Sequence, residues 1–195
     1  MKRSNAGFSL IELIVVVAIA IVITAISLPA VRRTISSYQL DASAHNVANM
    51  LQATRSAATK NNTPYYAQYN SVAGPSEVIA VPAVNFTTMA YNPATDPTTN
   101  LSAQVSFPAA APPNHAQLET AMGVPAGKAQ IGGPIGFSSR GLPCAASAAT
   151  PWICNGPMGF EWFMQHGMTG NWEAVTVSPA GRIKTWHLSG SGTWQ

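Results

Sequence analysis

One apolar run near the start of the chain constrains the fold more than any other feature. From Phe8 to Val31, 24 consecutive residues carry a single charge, that of Glu12. At 1.5 Å per residue the run spans roughly 36 Å as a helix, enough to cross a hydrocarbon core of about 30 Å. It predicts one transmembrane helix, and the rest of the chain must then fold outside the bilayer. The apolar region of a secretory signal is shorter, about 7 to 15 residues, and no A-x-A-like cleavage site follows this run. Lys2 and Arg3 before it are matched by Arg32 and Arg33 after it, so flanking charge alone does not orient the helix.

An ionised carboxylate within an apolar span costs on the order of 2.5–3.5 kcal/mol on insertion scales, so Glu12 implies a partner or snorkels to the headgroups. It sits favourably in the first helical turn, near the positive end of the macrodipole. Its surroundings are specific: Gly7-Phe8-Ser9-Leu10-Ile11-Glu12, after a polar basic leader, resembles the class III leader motif of type IV pilins and type II secretion pseudopilins. In that family a prepilin peptidase cuts after the glycine and methylates the new N-terminus. The resemblance implies cleavage after Gly7, a methylated Phe8, and an assembly role for Glu12, which would pair with the new α-amino group of a neighbouring subunit. It also implies the partners: other pseudopilins or pilins through the N-terminal helix, the prepilin peptidase, the inner membrane, and a secretion or pilus assembly platform.

Beyond Pro29, which ends or kinks a helix, apolar residues recur at helical spacing: Val31, Ile35, Tyr38, Leu40, Ala44, Val47, Leu51 and Ala58. The helix is expected to continue to about Lys60, with Asn61 to Pro64 as its stop. Short β-prone segments follow at 65–69, 77–81, 104–107, 135–138, 159–164, 172–177 and 182–188. Residues 82–134 hold eight of the 15 prolines and read as loops around one or two strands. The expected organisation is a cleaved leader at 1–7, a transmembrane and assembly helix at 8–31, its amphipathic continuation at 32–61, and a β-rich periplasmic head at 62–195. The fold class is α+β and pilin-like, with a long N-terminal helix packed on an antiparallel β-sheet head.

Charged residues form only 9% of the chain, and the net charge of +3 falls to +1 once Lys2 and Arg3 are removed, leaving eight basic against seven acidic residues. Whole-molecule attraction to nucleic acid is therefore not expected, and such binding would need a local patch. Cys144 and Cys154 enclose nine residues, a spacing that fits neither C-x-x-C nor a four-ligand zinc site. They form either a loop-closing disulfide or two unrelated buried thiols, and the compartment decides between these. His45, His115, His166 and His187 show no metal-ligand spacing, and no catalytic motif or cofactor-binding loop is found. No enzyme activity, metal or cofactor is expected. Trp152, Trp162, Trp172, Trp186 and Trp194 all lie in the last 44 residues, where the strand pattern would bury several of them between sheets.

Two later segments, Ile135 to Gly141 and Val175 to Lys184, resemble the C-terminal strand-turn segments of GspH/FimT-type minor pseudopilins. That resemblance implies a minor pseudopilin of a type II secretion system, an assembly subunit of a short pseudopilus in the inner membrane and periplasm. The alternative is a FimT-like minor pilin that binds DNA. Ser178 to Gly181 suits a type I turn, after which Arg182, Lys184 and Trp186 would alternate to one face of a strand as a possible DNA site. Lysine here replaces the second arginine of the family's G-R-x-R pattern, losing a rigid fork suited to phosphate. A membrane-tethered periplasmic enzyme is the third and most remote reading.

Overall fold

A single helix organises the molecule. The computed structural model describes residues 9–70, 78–80, 97–108, 110–145, 154 and 158–195. Helix α1 runs unbroken over Leu10–Lys60, with Pro29 inside it. Thr24, Ser27 and Thr34 donate their hydroxyls to carbonyls four residues back, which keeps these polar groups satisfied on an apolar helix. The helix ends at Asn61, whose N–H donates to Ala57 O, while the next N–H, that of Asn62, donates to Thr59 O.

The strands follow in the order β1 (Tyr65–Asn70), β2 (Val78–Ala80), β3 (Thr98–Asn100) and β4 (Val105–Ser106), then a short helix α2 (Ala116–Met122). After it come β5 (Gln130–Ile131), β6 (Ile135–Phe137), β7 (Pro143–Ala145), β8 (Phe160–His166), β9 (Trp172–Val177) and β10 (Ile183–His187). They form two sheets, β3-β2-β1-β6-β7 and β10-β9-β8-β4. All of their pairings are antiparallel except that β5 runs parallel to β8, beside the start of that strand. Of the predicted strand at 77–81, Glu77 and Val81 lie outside the described residues.

The stretch at 82–134 carries more structure than the proline count suggests. Helix α2 was not foreseen there: its seven residues, between Pro112-Pro113 and Gly123, are too few to show a helical period. Gly123 ends it in the left-handed conformation, at φ +74°.

Helix α1 buries one face against both sheets, through Ser36, Leu40, Ser43, Ala44, Val47, Met50, Leu51, Thr54 and Ala58. Small residues at 43, 44, 54 and 58 let the strands approach, and Ser102 N donates to Ser43 Oγ at 3.0 Å. The buried face begins at Ser36, not at Val31 as the periodicity suggested. Val31, Ile35 and Tyr38 are 53%, 51% and 70% exposed, because the head does not reach that low on their side of the helix. Trp162 fills the centre of the main core, fully buried, with its indole N–H donated to Gly133 O at 2.8 Å. Truncating an aromatic residue so placed costs about 3–5 kcal/mol.

The C-terminal sheet is covered on both faces. Phe160, Trp162, Met164, Val175 and Val177 point to α1. Their neighbours Phe163 and Ala174 point the other way, into a second cluster with Leu118 and Trp194. Trp172 and Trp186 are half-buried against that cluster, and Trp152 lies outside the described residues.

Two turns of the same design close one end of the head. Gly141 N donates to Ser138 O and Gly181 N to Ser178 O, at 2.8 and 2.7 Å, and both glycines have positive φ, +73° and +77°. The turns meet at Arg55, whose Nε donates to Gly141 O at 3.1 Å. A Cβ built on Gly181 would stand 2.7 Å from Gly141 O, so the contact needs glycine twice over. This packing gives a physical reason for the glycine in each of the two strand-turn segments noted in the sequence.

Candidate assembly site

Ser9 and every residue of α1 as far as Ile35 are exposed, so the apolar run is not covered by any of the described residues. Its most apolar 18-residue window has a mean hydropathy of 2.9, a composition and length suited to a membrane or to packing against other such helices. Ser9 is the N-cap residue, in extended conformation, and Glu12 lies three residues on, in the first turn. Glu12 N and Leu13 N both donate to Ser9 O, at 3.1 and 3.2 Å. The carboxylate therefore sits next to the helix start, where processing after Gly7 would create an α-amino group. Gly7 and Phe8 themselves lie outside the described residues.

In the head, Cys144 on β7 is joined to Cys154 by a disulfide. Lys184 and Trp186 share one face of β10, whereas Arg182 lies just before the strand begins. With Thr176, Ala121 and Met122 they line a shallow depression of about 160 Å³. Yet the Lys184 Nζ lies 3.3 Å from the centroid of the Trp186 ring, and the indole N–H is donated to Thr176 Oγ1 at 2.8 Å. A ring face that a nucleobase would stack on is thus already covered by an ammonium group.

Three glutamates that the sequence did not single out are buried. Glu161 on β8 faces α2 and is fully buried, with neither carboxyl oxygen hydrogen-bonded among the described residues, although His115 Nδ1 stands 3.4 Å from Oε2. Burial pushes its carboxyl up to about 8, helped by the nearby charge of Glu119. Glu119 is the opposite case: it accepts hydrogen bonds from Gly127 N and Ala129 N, at 2.8 and 3.0 Å, and these hold it below the usual carboxylate range. On the other face, Glu173 is also buried and pushed up to about 8, first by burial and then by Asp41, with His187 Nδ1 at 3.4 Å. His115 and His187 therefore each stand beside a buried acid, His115 half-buried and His187 exposed. His45 is also exposed, 3.5 Å from Asp41, and His166 is buried with Nε2 3.2 Å from Gln39 Oε1. Alternation on β8 places Glu161 on the second face, but its burial depends on α2, which the sequence did not reveal. Among the described residues no three metal-capable side chains converge.

The prokaryotic N-terminal methylation motif matches residues 2–28 of the chain, which include Gly7, Phe8 and Glu12. No curated protein matches it. Two crystal structures of the type IV minor pilin FimU of Pseudomonas aeruginosa (strain PAO1), in different crystal forms, are similar to it at 16% identity. One aligns with a TM-score of 0.46, covering 82% of this chain and 94% of that one; the other gives 0.41, covering 80% and 97%.

Proposed function

We propose that this type IV pilin-like chain is a membrane-anchored assembly subunit, a minor pilin or pseudopilin, that joins its filament through the N-terminal helix. One observation carries the proposal. The methylation motif opens a helix whose first 22 residues, Leu10 to Val31, are exposed and carry a single charge, the acid Glu12 in the first turn. Lipid solvates the apolar surface before assembly, and neighbouring helices cover it afterwards. Leaving lipid for a helix bundle gains little from hydrophobicity, since both environments are apolar, so packing and polar pairing must drive the exchange. Glu12 supplies the polar pairing: its carboxylate would meet the methylated amino group of Phe8 on the next subunit. Glu12→Ala is expected to leave insertion and cleavage intact while reducing incorporation into filaments, with Gly7→Val as the control that keeps the leader attached. Normal incorporation of the Glu12→Ala protein would remove the proposed pairing.

Our finer reading is a minor pseudopilin of a type II secretion system in the inner membrane. It rests on the likeness of the two strand-turn segments that meet at Arg55. The second reading is a FimT-like minor pilin that binds DNA, favoured by the convergence of Arg182, Lys184 and Trp186 on one depression. The lysine seated on the tryptophan ring counts against it. A mobility shift at low salt separates them: DNA binding lost in Arg182→Ala/Lys184→Ala supports the second, and no binding by the unaltered protein rejects it.

A further inference from the structure

The loop between β8 and β9, Gly167 to Asn171, hangs beside α1 at the base of the head. Met168 and Thr169 share a groove of about 640 Å³ with Pro29, Arg32, Arg33 and Ile35. Met168 is 68% exposed, the most exposed large apolar residue of the head among the described residues. Left-handed Gly170, whose N–H donates to His166 O at 2.8 Å, holds the loop back against β8.

The depth of this loop follows from chain geometry. A hydrocarbon core of about 30 Å takes about 20 helical residues, so a span starting at Phe8 leaves the core near Leu28. The headgroup layer adds about 5–7 Å on each side, which takes roughly the next four or five residues, Pro29 to Arg33. Met168 and Thr169 lie beside that stretch of the helix. Both arginines are exposed, and the exposed side chains of Val31, Ile35 and Tyr38 carry the apolar surface on from the span. Two cations and an unbranched thioether at this level suit a layer of phosphates with acyl chains beneath.

We propose that the base of the head docks on the bilayer surface, with Met168 inserted among the lipid headgroups and Arg32 and Arg33 against the phosphates of anionic phospholipid. This rests on the anchored-subunit reading above and adds a second, reversible membrane contact. The contact fixes the orientation of the head before assembly and is broken when the subunit leaves the membrane.

The test uses the full chain in vesicles of phosphatidylethanolamine and phosphatidylglycerol at low protein density. Single nitroxides are placed at Met168→Cys, Ile21→Cys and Lys60→Cys, the native cysteines being bonded to each other. Lys60 is the water-exposed reference, about 42 Å along the helix from Arg32. The expected result is hydrocarbon depth at 21, full access to a water-soluble relaxant at 60, and several-fold protection at 168 with a depth near the phosphates. Arg32→Gln/Arg33→Gln is expected to shift the 168 label outward. A label at 168 as accessible as that at 60, with 21 in hydrocarbon, overturns the docking alone. A label at 21 outside hydrocarbon overturns the anchor and the docking together. Protection at 168 that appears only at high protein density, with dipolar broadening, assigns the groove to a second copy and also overturns the docking.

Discussion

Glu161 makes the stability of the head depend on pH in a direction opposite to that of a salt-bridged acid. Its carboxyl is raised from an ordinary 4.5 to about 8, first because it is buried and then because Glu119 is near. Below pH 4.5 the folded and unfolded chains both hold the proton, and the stabilisation is complete. Between 4.5 and 8 the unfolded chain gives up a proton that the folded chain keeps, so stability falls by about 1.4 kcal/mol per pH unit, and above 8 the slope vanishes. From pH 5 to 7.5 Glu161 alone removes about 3 kcal/mol. Glu173, also raised to about 8, adds a similar slope in the same window. Glu119, being lowered, loses its contribution only as pH falls through its folded value, below this window. Glu161→Gln replaces the neutral acid with a neutral amide of the same shape, so its contribution does not titrate. Urea unfolding of the full chain in detergent, followed by tryptophan fluorescence, is expected to show wild-type stability falling from pH 5 to 7.5. The variant should fall by about half as much, and the two should converge toward pH 5. A flat wild-type profile, or a variant parallel to wild type, would mean that Glu161 does not hold its proton in the folded head.

The Cys144–Cys154 disulfide closes a loop of about eleven residues and should contribute on the order of 2–3 kcal/mol, so reductant is expected to lower the melting temperature of the head. Two freely alkylated thiols in the protein recovered from cells would contradict the bond. Gly181→Ala should cost at least the roughly 1–2 kcal/mol of a left-handed non-glycine residue, and more because its Cβ meets the Gly141 carbonyl. Gly170→Ala, with φ +69° but nothing within 4 Å, should cost only the conformational part, and equal losses would show that the packing of the two turns is unimportant.

The long helix was legible because its two signals are strong: an uninterrupted apolar run and then a 3.6-residue period, interrupted only by Pro29. Strands β6, β8, β9 and β10 were legible from alternation and flanking turns, to within one or two residues at their ends. The stripe from Val31 to Tyr38 misled, since periodicity reports a continuous apolar face and not where the head begins to cover it. Helix α2 and the short β3, β5 and β7 have too few residues to carry a period, and packing on the sheets stabilises them. Glu161 and Glu173 were missed for a related reason. A glutamate within a strand reads as a solvent-facing residue until both faces of its sheet are known to be covered, and here α1 covers one and α2 the other.

Processing as a prepilin and anchoring by the remaining helix are both read from the intact mass and N-terminal fragment spectrum of the protein isolated from its native membranes. The expected chain begins at Phe8, carries one added methyl group on its α-amino nitrogen and retains the whole apolar run. A chain that still begins at Met1, or one cut beyond Val31, would contradict that expectation.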